Sequence, residues 1–235
     1  MAAYREHISV SGLCGVAYGV TAVYLMDFTP TQGILAGVLT WIAGMLPDLD
    51  SDTGKPIREV FSLLAASAPF VMMHHLLEWG RNDPEKVMLF AVLMYAGIRY
   101  GLASFLSKIS VHRGMFHSVP ALFIAAELTF LAYKSDSIMV RTLMAGGVGI
   151  GFFSHLLLDE IYSVQWNGIR IRLNKAAGSA IKLIGKNFAA NALTYGLLFF
   201  LTYLSLMKIG LIEPPEINNI KIPVQQAIES VPERH

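Results

Sequence analysis

Residues 138–159 read IMVRTLMAGGVGIGFFSHLLLD. Up to position 158 this is an apolar run in which only Arg141 and His155 can carry charge. At ~1.5 Å per residue, about 20 such residues cross the hydrocarbon core of a bilayer. The stretch predicts a membrane-spanning helix. His155 and Asp159 stand at i and i+4, so they project from one side of its final turns and can approach the same ion.

Six further apolar runs flank it, at 8–26, 30–46, 59–79, 87–106, 118–133 and 190–210. The runs 30–46 and 118–133 are short for a full crossing, so six or seven spans are expected. The fold class is therefore all-α, a polytopic transmembrane helical bundle. The expected membrane domain covers 1–210, and the proline-bearing segment 211–235 reads as a solvent tail. Composition agrees. Of 235 residues 54% are apolar and 15% charged, and the mean hydropathy is +0.51. These values exclude a disordered chain, a collagen-like chain and a charged coiled coil, and they argue against a water-soluble enzyme. The formal charge of +1 gives no field that would draw nucleic acid. Cys14 is the one cysteine, so no internal disulfide forms. Glu6 and His7 interrupt the charged start expected of a cleaved leader, and Leu13 before Cys14 is a poor lipoprotein site; an uncleaved anchor is expected.

With seven spans, one membrane side collects ten lysines and arginines and the other seven, Arg99 lying within a span. The largest group is Arg170, Arg172, Lys175, Lys182 and Lys186, in a basic loop at 161–189 that contains Trp166 and is expected at the interface. The bias places the N-terminus in the cytoplasm. Gly15 with Gly19, Gly33 with Gly37, and Gly147 with Gly151 have the spacing that lets helices approach closely in lipid. Arg99 and Glu127 fall at similar depth and are expected to pair.

The same topology sorts the metal-binding side chains. His7 precedes the first span, Asp48 and Asp50 follow the second, His112 and His117 precede the fifth, and His155 and Asp159 end the sixth. Odd spans run outward and even spans return, so all seven reach one face, the one richer in Lys and Arg. Pro47 ends its helix and lets Asp48 and Asp50 point the same way. Gly114 permits a bend that brings His112 and His117 together. Taken alone, a histidine at a membrane edge is usually just solvated. Four histidines and three aspartates on one face of a charge-poor chain point to a metal site. His74 and His75 lie on the opposite face.

The segments Leu46–Ser51, His112-Arg113-Gly114 with His117-Ser118, and Ser154-His155 with Asp159 resemble the YdjM-like, LexA-regulated family of inner-membrane metal-dependent hydrolases. The likeness runs from His7 to about Trp166. That family is in turn similar to zinc-dependent phospholipase C and the S1/P1-type nucleases, which cleave phosphoesters at zinc clusters held by His and Asp. The resemblance implies a bacterial inner-membrane location. It also implies metal ligation by His7, Asp48, His112 or His117, His155 and Asp159, with Asp50 as a further ligand or general base.

Seven ligands exceed the needs of one tetrahedral Zn²⁺, so two or three ions are expected, Zn²⁺ first and Mn²⁺ or Fe²⁺ next. The expected chemistry is hydrolysis of a lipid phosphate or phosphodiester by metal-activated water. Asp50 or Asp48 would orient or deprotonate that water, and Arg113 and Lys55 would hold the phosphate. Membrane lipids are the expected partners. Two other readings remain open: a metal- or proton-coupled transporter, and a membrane scaffold with a structural metal.

Overall fold

The computed structural model describes residues 4–50, 54–102, 117–166, 171–173, 183–185 and 187–213. The chain opens with helix α1 (Tyr4–Leu25) and returns as α2 (Pro30–Ala43). A reciprocal cap fixes the start of α2: Thr29 Oγ1 accepts from Gln32 N, and Gln32 Oε1 accepts from Thr29 N, with Pro30 in the first helical position. After Gly44 a 3-10 turn (Leu46–Asp50) leads to α3 (Gly54–Val71) and α4 (Met73–Trp79). The run 59–79 is thus two helices: Pro69 lies inside α3 and the break falls at Met72. Helix α5 (Pro84–Ala96), capped by Asp83, continues as a π-helical segment (Gly97–Leu102). Helix α6 (Val119–Ala132) is capped by the Ser118 hydroxyl, which accepts from Ala121 N. Then come α7 (Ile138–Ser163), a short antiparallel ribbon of β1 (Val164–Trp166) and β2 (Ile171–Leu173), and α8 (Phe188–Ile209). The segment expected as a basic loop at 161–189 therefore begins as the last turn of α7 and carries a hairpin. Helix α8 stops at Gly210, whose φ of 83° is left-handed. The predicted tail lies outside the described residues from 214 onward.

Among the described residues, three helices are long and apolar enough to cross a membrane: Arg5–Leu25, Ile138–Ser163 and Phe188–Ile209. The two short runs give α2 and α6, of 14 residues each, or about 21 Å of helix. The outer surface carries exposed Leu13, Ile34, Leu193 and Phe199. Such a surface would aggregate in water and suits lipid.

Helix α7 is the centre of the bundle, with α1 and α2 packed on it from one side and α6 from the other; α8 packs on α6. The core joins Ala22, Ala36, Leu39 and Ala43 to Val140, Leu143, Met144 and Val148. The glycine pairs seen in the sequence make the closest contacts. A Cβ on Gly19 would sit 2.6 Å from Gly33 O, and one on Gly37 would sit 2.7 Å from Gly15 O. Gly147 and Gly151 press on α2 in the same way, against Ala36 O and Thr40 O. Helix α2 is thus held between two glycine seams, which fixes the height of Gly44 relative to α7.

The two ends of the bundle differ. At one end Lys134, just past α6, pairs with Glu78 of α4. Buried Arg141 there donates to Ser135 O (2.7 Å) and Phe130 O (3.4 Å). At the other end the start of α1, the turn after α2, the start of α6 and the last turns of α7 come together.

Candidate metal centre

Five side chains meet at that second end. His7 enters from the first turns of α1, Asp48 from the 3-10 turn, His117 from just before the α6 cap, and His155 and Asp159 from α7. His7, His155 and Asp159 are buried, while Asp48 and His117 are about one-fifth exposed, at 22% and 20%. The cluster is therefore closed from below and open on the Asp48–His117 side.

One hydrogen bond orders the site. His155 Nδ1 lies 2.7 Å from Gly44 O. A carbonyl only accepts, so Nδ1 carries the proton and, in the neutral ring, Nε2 presents its lone pair. That Nε2 is buried and has no hydrogen-bond partner among the described residues. It faces Asp48 Oδ1 and Asp159 Oδ2, each at 3.7 Å. A lone pair facing two carboxylates is repulsive unless a proton or a metal ion lies between them. His7 stacks on His155 with ring centroids 3.7 Å apart and 11° between planes, and its Nε2 is 3.3 Å from Asp159 Oδ1. His117 meets His155 edge-on at 5.4 Å, with Nε2 3.7 Å from Asp48 Oδ1 and 3.9 Å from Asp159 Oδ2.

These spacings fit a metal. Donors held ~2.0–2.1 Å from a tetrahedral ion lie roughly 3.3–3.4 Å from one another, and wider angles lengthen that. Among the described residues, two triads can each offer one donor atom per residue with those atoms within 4.8 Å of one another: His7, His155 and Asp159; and Asp48, His117 and His155. Burial alone would raise the Asp48 carboxyl, but contact with His117 and the field of His155, His117 and His7 outweigh it and hold the group below its usual range.

The convergence expected from the topology is present for His7, Asp48, His117, His155 and Asp159. His112 and Arg113 lie outside the described residues. Asp50 ends the 3-10 turn and Lys55 stands in the first turn of α3; the side chains of both lie outside the described part. Sequence reasoning missed Gly44, because a backbone acceptor has no side-chain signature. It also missed Glu6, which accepts from Tyr162 Oη at 3.1 Å and ties α1 to α7 beside the cluster.

The expected Arg99–Glu127 pair is not made. Thr202 Oγ1 of α8 lies 2.7 Å from Glu127 Oε1, and the Arg99 guanidinium lies 5.6 Å from the Tyr100 ring centre. Helix α6 turns Glu127 towards α8. Accordingly, Arg99→Met and Glu127→Gln should change stability additively, within about 0.5 kcal/mol in a double-mutant cycle read by thermal unfolding. A coupling of about 3 kcal/mol, as for a broken buried pair, would contradict this.

No curated protein and no solved structure matches the chain. The model of one family, described as YdjM inner membrane protein, matches residues 3–205, a span that holds all five clustered side chains. By that match the chain belongs to the YdjM inner membrane protein family.

Proposed function

We propose that this chain is a multi-pass protein of the bacterial inner membrane that hydrolyses a phosphoester of a membrane lipid at a divalent metal site on its cytoplasmic rim. The observation that carries the reading is His155 Nε2, bare of hydrogen bonds between two carboxylates and joined there by two more imidazoles.

His7, His117, His155, Asp48 and Asp159 would hold the ion. Mixed imidazole and carboxylate donors suit Zn²⁺ first, then Mn²⁺ or Fe²⁺. When bound, such an ion polarises a phosphoryl oxygen and makes a neighbouring water acidic enough to react at neutral pH. His155 can give only Nε2, because Nδ1 is committed to Gly44. A second ion needs donors beyond these five, and His112 and Asp50 are the candidates in the sequence.

The chain's own groups do the rest. Gly44 fixes the tautomer and tilt of His155. Asp48 is the more open of the two acids, 22% exposed against 4% for Asp159, so it can accept a proton from water at the substrate side, with Asp50 nearby in sequence. Lys55 and Arg113 supply cations for the phosphate. The donors all sit at one end of the bundle, where a lipid headgroup can reach them, rather than at the midplane where transporters place their sites. Counting α3 with α4, and α5, as passes beside the three long helices, together with one or both of the short α2 and α6, gives six or seven, and the Lys and Arg bias supports a site on the cytoplasmic side.

Purified protein loaded with Zn²⁺ or Mn²⁺ and offered phospholipids and prenyl phosphates should release product. His155→Ala and Asp48→Ala should each lower turnover by about 100-fold or more. Turnover unchanged in both variants would reject the reading.

A further inference from the structure

The two stacked imidazoles of the cluster are held in different ways. His155 stands deep in α7, and Gly44 O fixes its Nδ1. His7 has no such anchor: its Nδ1 is buried and has no hydrogen-bond partner among the described residues. A metal-binding imidazole normally has its second nitrogen fixed by a hydrogen bond. His7 also lies near the start of α1, which begins at Tyr4. The first N–H groups of a helix lack intrahelical partners, and helix ends fray. Within the cluster His7 is held by its stack on His155, at 3.7 Å, and by its 3.3 Å approach to Asp159 Oδ1. A stack fixes the plane of a ring and leaves it free to slide in that plane.

One hydrogen bond beside the cluster supplies the missing restraint. Tyr162 follows Asp159 by three positions on α7, so the two share a side of that helix. Its hydroxyl donates to Glu6 Oε1 at 3.1 Å, and Glu6 directly precedes His7 on α1. The bond therefore runs from the turn of α7 that carries Asp159 to the turn of α1 that carries His7. It lies at the rim: Tyr162 is 45% exposed, whereas His7 and Asp159 are buried. A hydrogen bond so open to solvent adds little to folding, so its effect belongs in the placement of the neighbouring ligand.

We propose that Glu6 and Tyr162 are a positioning pair that sets metal affinity by holding the His7 ring in register with His155 and Asp159. The pair acts through the first turns of α1, and its hydrogen bond, not the charge of Glu6, does the holding. This rests on the metal centre of the proposed function and is independent of what that centre hydrolyses.

The test reads two quantities on the full chain in detergent: Zn²⁺ affinity against a competing chelator, and melting of the metal-free protein. Tyr162→Phe and Glu6→Ala should each weaken Zn²⁺ binding about tenfold, the lower end for outer partners of a ligand, with melting unchanged. Both together should cost no more than either alone. Glu6→Gln should stay within about twofold of the parent, because its amide oxygen still accepts from Tyr162. His7→Phe keeps a ring on His155 and removes both nitrogens; in that background Tyr162→Phe should have no further effect. Four results each overturn the pair and leave the metal centre standing: parental affinity in Tyr162→Phe, equal losses in Glu6→Gln and Glu6→Ala, an undiminished effect of Tyr162→Phe beside His7→Phe, or a loss of affinity that follows a fall in melting. A parent chain that takes up no Zn²⁺ overturns the pair and the metal centre together.

Discussion

His155→Ala is expected to weaken metal binding by more than about 100-fold. Altering a partner that merely orients a ligand already costs 10–100-fold, and here the ligand itself is removed. His155 belongs to both donor triads, so no described trio survives its loss. Equilibrium dialysis against Zn²⁺ measures the effect. His75→Ala serves as the control. His75 lies on α4 with Glu78, whose partner Lys134 marks the far end of the bundle, so its removal should leave affinity unchanged. Equal affinity in His155→Ala and the parent would mean that the cluster is a hydrogen-bonded knot and not a metal site.

Gly151→Ala should be the most damaging single methyl in the chain's central seam. The added carbon would be driven into Thr40 O and towards the Ala43 side chain, both on α2. Backbone cannot rotate away, so α2 and α7 must separate. Overpacking of this kind costs about 3 kcal/mol, which lowers the melting temperature of a chain this size by about 6–12 °C. Gly149→Ala is the internal comparison. Its new carbon meets Ala126 and Leu122 at 3.9 Å, an ordinary contact, and helix propensity favours alanine. That variant should melt at or slightly above the parent. Gly151→Ala should also weaken metal binding, because Thr40 lies one turn from Gly44 and moving α2 draws the Gly44 carbonyl away from His155. Similar melting for the two variants would refute the seam.

The parts of this design that depend on axial position were readable from the residues. Apolar run length placed α1, α7 and α8, and the alternation of spans put His7, Asp48, His117, His155 and Asp159 at one end. The spacing of Gly15, Gly19, Gly33 and Gly37 announced close packing. What depends on bearing around a helix was not readable. Depth alone suggested Arg99 for Glu127, whereas the helix turns Glu127 to Thr202. Nor does a run reveal where it breaks: 59–79 divides at Met72, and 87–106 passes into a π-helical segment at Gly97. The Gly44 carbonyl, which decides the tautomer of His155, is invisible in any list of side chains.

The central claim is that imidazoles and carboxylates from four parts of the chain share an ion. X-ray absorption at the metal edge of the purified protein tests it most directly. The account predicts at least one divalent ion per chain, held by nitrogen and oxygen donors at about 2.0–2.2 Å with imidazole scattering and no sulfur. Folded protein that contains no such ion and takes up none from Zn²⁺, Mn²⁺ or Fe²⁺ solutions would contradict it.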